Sequence, residues 1–242
     1  MSKTLVIVGA GPGLGMGVAR AFGAEGFRVG LIARNPATLA ELTAQLQARG
    51  VTARAFPADI LDRASLADAL TAAKDALGEI DVLEYSPSPT GSITSAAETT
   101  VESAAAQFAL HVLGAITAVG RVLPDMLAKG AGTVLLTTGI SASEPVPILA
   151  NVGLAMAGLR NWAHTLHEEL APHGVHVATV TIGTRIAAGA GDGDPDAIGA
   201  RYLDLHRHAD RVEEVVGDLD EFRARLAAHL ATQGPPVAAD PR

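Results

Sequence analysis

The chain has 242 residues and a formal charge of −8, with 48% hydrophobic, 18% charged and 3% aromatic residues. That is a globular profile, long enough to bury a large core. Its acidity disfavours a sequence-blind grip on nucleic acid or anionic membrane, and its few aromatics offer no stacking platform for single strands. The chain has no cysteine, so disulfides, thiolate catalysis and cysteine-based metal centres are excluded.

In chain order, short β-rich runs alternate with alanine-rich helical stretches. Strands are predicted at Thr4–Val8, Arg28–Ala33, Thr52–Pro57, Asp81–Tyr85, Thr133–Thr138 and Val175–Ile182. Helices are predicted at Leu14–Ala24, Pro36–Arg49, Arg63–Leu77, Glu98–Lys129 and Val152–His173. Near-continuous apolar runs such as Leu5-Val6-Ile7-Val8 suit a sheet covered on both faces. The alternation implies right-handed crossovers and an α/β fold: a Rossmann-like, doubly wound parallel sheet in a single domain, residues 1–242. Beyond Gly183 a loop is predicted at Gly189–Pro195, two short helices around Asp196–Leu205 and Leu219–Ala231, and a frayed tail over 234–242. The apolar start breaks at once into glycines, which is a poor secretory core, and no run of about 18 apolar residues without glycine suggests a membrane span. The expected location is the cytoplasm.

Gly9-Ala10-Gly11-Pro12-Gly13-Leu14-Gly15 falls between the first strand and the first helix. A glycine turn that opens a helix lets backbone N–H groups and the positive helix end meet a pyrophosphate. The end of the second strand reads Ile32-Ala33-Arg34-Asn35, with no acid to bind ribose hydroxyls. An arginine fork there favours a 2′-phosphate, so NADP(H) is preferred over NAD(H). The alternatives are a tight packing turn and a solvated Arg34.

From about residue 4 to 187 the spacing resembles the short-chain dehydrogenase/reductase family. The resemblance rests on Gly9, Gly13 and Gly15, on Ala58-Asp59-Ile60 after the third strand, on Pro124-Asp125-Met126, and on Glu169 to Val177 leading into the sixth strand. It implies cofactor contacts from Gly9, Gly11, Gly13, Leu14, Gly15, Arg34, Asp59, Ile60, Ser86 and Gly183. It also implies a substrate lid within 187–217, and a homodimer or homotetramer through the helices at 98–129 and 152–173. The family's catalytic tyrosine and lysine fall on Val152 and Met156, its serine on Gly139 and its asparagine on His111. The turn after the fourth strand reads Tyr85-Ser86-Pro87-Ser88. Both tyrosines, Tyr85 and Tyr202, lack a lysine four residues on, so no shift of alignment restores the pair.

The remaining candidates for acid–base work are His111, Ser141 and Tyr85, with Thr138 able to hydrogen-bond a carbonyl. Each has a bland alternative as a satisfied helix histidine, a loop hydroxyl or a space-filling ring. No metal site is expected, because Asp192, Asp194 and Asp196 lack the downstream glutamate of a calcium loop. The leading expectation is an NADP(H)-dependent oxidoreductase that reduces a carbonyl, imine or activated double bond in a small molecule through an atypical site. The alternatives are a catalytically silent cofactor sensor or partner protein, a non-redox enzyme on the same scaffold, and a structural subunit of an active relative.

Overall fold

The computed structural model describes residues 2–233; the tail expected to fray, 234–242, lies outside the described residues. Six strands fall on the predicted runs: β1 (Thr4–Val8), β2 (Arg28–Ala33), β3 (Ala53–Pro57), β4 (Val82–Tyr85), β5 (Gly132–Gly139) and β6 (Val175–Ile182). A seventh, β7 (Glu213–Val216), carries little apolar signal. Its two glutamates are paired by Arg160, Arg201 and Arg211, which lets Glu-Glu-Val-Val close the sheet edge along β6. The order is β3-β2-β1-β4-β5-β6-β7, every neighbouring pair parallel. The chain runs outward from β1 to β3, then returns to lay β4 on the other side. This switch point opens a crevice above the carboxyl ends of β1 and β4.

The helices are α1 (Leu14–Ala24), α2 (Pro36–Gln47), α3 (Arg63–Leu77), α4 (Val101–Phe108), α5 (Gly114–Lys129), α6 (Ala150–Leu170), α7 (Pro195–His208) and α8 (Leu219–Gln233). Strand alternation deals the apolar side chains to two cores. Leu5, Ile7, Val29, Leu31 and Val180 pack under α1, α2 and α7, while Val6, Val8, Leu83, Leu136 and Val177 pack under α3, α5 and α6. Full burial of each such side chain stabilises by roughly 1.5–3 kcal/mol.

The helix expected over Glu98–Lys129 runs from Val101 to Lys129 and contains one change of pitch. Thr100 starts α4 with a capping box to Ser103, and α5 ends at Gly130. Between them Ala109–Leu113 forms one π-helical turn, closed by the Gly114 N–H donating to the Ala109 carbonyl. The stretch Val101–Lys129 is long and apolar enough by composition to cross a membrane, its most apolar 18 residues having a mean hydropathy of 1.4, but half of that window is buried inside the fold.

Within the segment expected to form a lid, one face of α7 packs into the core. At the α1–α7 crossing a Cβ on Gly17 would lie 1.9 Å from the Pro195 carbonyl oxygen, and one on Gly199 would lie 2.3 Å from that of Gly17. Ile198, Tyr202 and Leu205 of α7 are fully buried. The acidic loop before α7 is likewise committed. Asp194 caps α7 through the Asp196 N–H and accepts the Gly189 N–H, while Asp192 and Asp196 pair with Arg201 and Arg20.

Candidate active site

The site begins where β1 gives way to α1. Gly9 turns the chain at φ +92°, and a Cβ there would lie 2.6 Å from the Pro87 nitrogen. The loop after β4 therefore rests directly on the turn. Gly11, by contrast, has nothing within 4 Å of its would-be Cβ, and Gly13 has only the Ile186 methyl at 3.8 Å. Gly13 is the N-cap of α1 and offers no side-chain hydrogen bond. The Met16 N–H donates to the Gly11 carbonyl at 3.2 Å, which leaves the Leu14 and Gly15 N–H groups for a ligand at the positive end of the helix.

Two cavities meet over this turn and share Gly9, Gly11, Pro12, Pro87 and Ser88. The smaller, about 290 Å³, is lined by Arg34, Thr38, Asp59 and Ile60. Arg34 is exposed at the end of β2 and has no ion pair among the described residues, whereas Asn35 beside it is committed to capping α2. Asp59 accepts the Leu61 N–H at 3.0 Å. The larger cavity, about 780 Å³, takes in Leu14, Gly15, Ser86 and Gly183 and extends between α6 and α8. An elongated dinucleotide suits this pair: the glycine cradle is where a Cβ would intrude on its phosphates, and Arg34 suits a 2′-phosphate. All ten residues expected to touch the cofactor line one cavity or the other.

The reaction end has a different character. Gly139, Val152 and Met156 line the larger cavity, as do Ile93, Ile148 and Leu149. Ser141 also lines it, and its hydroxyl has no hydrogen-bond partner among the described residues. His111 does not. The π turn carries it into the core, 1% exposed, where burial pushes its pKa down to about 4 and leaves Nε2 without a partner. Such a ring is neutral at pH 7 and lines neither cavity, which corrects its expected role as donor. Tyr85 is corrected for the same kind of reason. It is fully buried, its hydroxyl donates to the Leu110 carbonyl, and a Cβ on Gly114 would lie 2.1 Å from its oxygen. It packs against the π turn, with burial raising its pKa.

A buried glutamate, Glu84, and a partly buried one, Glu213, lie on opposite faces of the sheet. On the α7 face, Glu84 accepts hydrogen bonds from Ser86 and Thr137, both at 2.9 Å, and Thr137 in turn meets the Tyr202 hydroxyl at 2.6 Å. No cation among the described residues pairs with Glu84, and burial pushes its pKa up to about 8. On the α6 face, Thr138 meets Thr181 at 2.8 Å, and Thr181 donates to Glu213 at 2.7 Å. Burial pushes Glu213 up, but hydrogen bonds from Arg160 and Thr181 outweigh it and hold this carboxyl below its usual range. The hydroxyl of Thr138 is thereby engaged with Thr181 rather than left unpaired.

None of residues 187–217 lines the larger cavity; its outer wall is Thr184 to Ile186 together with Phe222, Arg225 and Leu226 of α8. The sequence locates α8 but carries no signal that this helix reaches back to the cleft. It is tied there by Arg223, which pairs with Glu144 at 3.0 Å just beyond β5.

A family model for short chain dehydrogenases matches residues 3–189. The chain belongs to the short-chain dehydrogenase family. It is 27% identical over 198 residues to the ketoacyl reductase HetN of Nostoc sp., covering 77% of this chain and 68% of the relative. A short-chain dehydrogenase structure from Rhodopseudomonas palustris superposes with a TM-score of 0.79 at 25% identity, covering 89% of this chain and 98% of that one. The structure of L-sorbose reductase from Gluconobacter frateurii, complexed with NADPH and L-sorbose, shares the fold at a TM-score of 0.78 and 21% identity, covering 89% of this chain and 95% of that one. The short-chain dehydrogenase fold places the glycine turn, the β4 loop and the β6 end of this chain around one crevice, and this chain is an oxidoreductase by family.

Proposed function

We propose that the protein is an NADP(H)-dependent reductase acting on a small, largely apolar molecule through an atypical active site. The observation that carries the reading is the open glycine cradle joined to a cavity with Arg34, rather than an acid, at the end of β2. The NADPH held by the sorbose reductase neighbour is consistent with it. Bound there, the cofactor supplies the hydride. Val152 and Met156 cannot hold or move a proton, so Ser141, solvent or the substrate completes the reduction of a carbonyl, imine or activated double bond.

Calorimetry with NADPH and NADH tests the cofactor. NADPH is expected to bind at least tenfold tighter, and Arg34→Ala to remove that preference, since one charge-assisted contact is worth about 1.5–3 kcal/mol. Equal affinity for the two cofactors overturns the NADP(H) reading. A panel of ketones and enones then tests hydride transfer. Tight NADPH binding with no turnover on any of them favours the second reading, a silent cofactor sensor or non-redox enzyme, which the all-apolar pair Val152 and Met156 motivates. Assembly belongs to the same proposal. Val101, Phe108, Ile116 and Leu154 leave an apolar face on α4, α5 and α6, which suits a homodimer or homotetramer. Light scattering that returns a monomer contradicts this assembly.

A further inference from the structure

Among the described residues, the larger cavity is lined by two arginines, Arg185 and Arg225, and by no carboxylate. That is unexpected in a chain of formal charge −8. Arg185 follows β6, is exposed, and makes no ion pair among the described residues. Arg225 stands on α8, half exposed, with Glu221 of the same helix at 3.4 Å as its partner. Exposed i, i+4 pairs of this kind are worth only a few tenths of a kcal/mol and release the guanidinium readily. The same cavity is lined by Ile148, Leu149, Val152, Met156, Phe222 and Leu226.

An apolar body held against such walls gains from each methylene removed from water. An anionic end gains a forked hydrogen bond at the arginines, whereas a cationic end meets like charge with no carboxylate to offset it. We propose that the cleft takes an amphipathic anion: an aliphatic or alicyclic molecule with its reducible group toward Val152 and Met156 and a carboxylate or phosphate toward Arg185 and Arg225. This rests on reading the larger cavity as the substrate end of a reductase cleft. It narrows the substrate class by excluding cationic substrates, protonated imines among them.

The test is binding of four ten-carbon probes, decanoate, decyl phosphate, decanol and decylamine, to the full chain with and without saturating NADPH. One of the two anions is expected to bind roughly tenfold tighter than decanol, and decylamine weakest, as one charge-assisted arginine contact predicts. Whichever anion binds tighter identifies carboxylate or phosphate as the recognised group. Arg225→Gln and the double variant Arg185→Gln/Arg225→Gln alter exposed side chains, and circular dichroism checks that they fold. In the double variant the anion and the alcohol are expected to bind within threefold of each other. Similar affinity for all four probes, a preference for decylamine, or an anion preference that survives the double variant overturns the proposal. NADPH calorimetry on the same samples keeps the two readings apart. Loss of NADPH binding with the anion preference intact sinks only the reductase reading, and the converse sinks only this one.

Discussion

The two ends of the cleft are built from different materials. At the glycine turn the groups offered to a ligand are backbone N–H groups and a helix end, fixed by the path of the chain from β1 into α1. At the other end the lining is side chains: Val152 and Met156 from α6, Ser141 beyond β5, and Phe222 and Leu226 from α8. Backbone recognition needs only small residues at a few positions and survives wide sequence drift. Side-chain chemistry depends on single residues, and here several polar groups of the lining are already bonded, Ser86 and Thr137 to Glu84 and Thr138 to Thr181. The difference teaches that a recognition surface made of backbone can be kept while the side chains at the other end of the same cleft vary.

The sharpest way to break the comparison is to fill the cradle. Gly11 lines both cavities and has nothing within 4 Å of its would-be Cβ, so Gly11→Val adds bulk to the cradle where phosphates would lie without meeting a neighbouring atom. NADPH affinity is expected to fall by at least 100-fold, with the thermal midpoint within about 2 °C of the parent, because surface changes away from packed features stay within about 0.5 kcal/mol. Undiminished affinity means that the cofactor does not use this turn.

The opposite change tests the reaction end. Val152→Tyr with Met156→Lys places an acid and a cation four residues apart on one face of α6, both at positions that line the cleft. A positioned general acid contributes about 10²- to 10⁴-fold, so turnover of a simple ketone with NADPH is expected to rise by about 100-fold. No gain in a folded, NADPH-binding variant means that the reaction end lacks more than its proton donor.

The same contrast explains what the sequence made legible. The sheet, its helices and the glycine turn are written in local periodicity and in residues with backbone consequences. The misplacements arise where long-range packing decides. Position along the chain points to His111 and Tyr85, but the π turn carries His111 into the core and gives Tyr85 a carbonyl and a glycine-sized gap to fill. The edge strand β7 is invisible locally because its glutamates become acceptable only once Arg160, Arg201 and Arg211 arrive from elsewhere. The α8 wall is a tertiary contact with no sequence signature. Glu84 could have been noticed, since a charged residue in a run otherwise reading as a buried strand breaks the apolar pattern.

Glu84 also gives the smallest and most specific prediction. Its folded pKa is raised by burial from 4.5 to about 8, so its contribution to stability is complete below pH 4.5 and is lost as pH rises through 8. His111, His176 and His206 run the other way. Burial lowers each from 6.5 to about 4, so their contributions are complete above pH 6.5 and are lost as pH falls toward 4. Each group adds a slope of at most about 1.4 kcal/mol per pH unit, less where solvent reaches the ring. Between pH 4.5 and 6.5 three rising slopes outweigh one falling slope. Between 6.5 and 8 only the fall due to Glu84 remains among these four groups. Urea midpoints measured from pH 5 to 9 are therefore expected to peak near pH 6.5 and decline toward 8. Glu84→Gln keeps hydrogen-bonding capacity toward Ser86 and Thr137 without an ionisable group. It should convert the decline into a plateau, leaving the variant about 1–3 kcal/mol more stable than the parent at pH 8 and close to it at pH 5. A decline that persists unchanged in Glu84→Gln would assign it to another group, and Glu84 would then be ionised and solvated through the cleft rather than sealed beneath it.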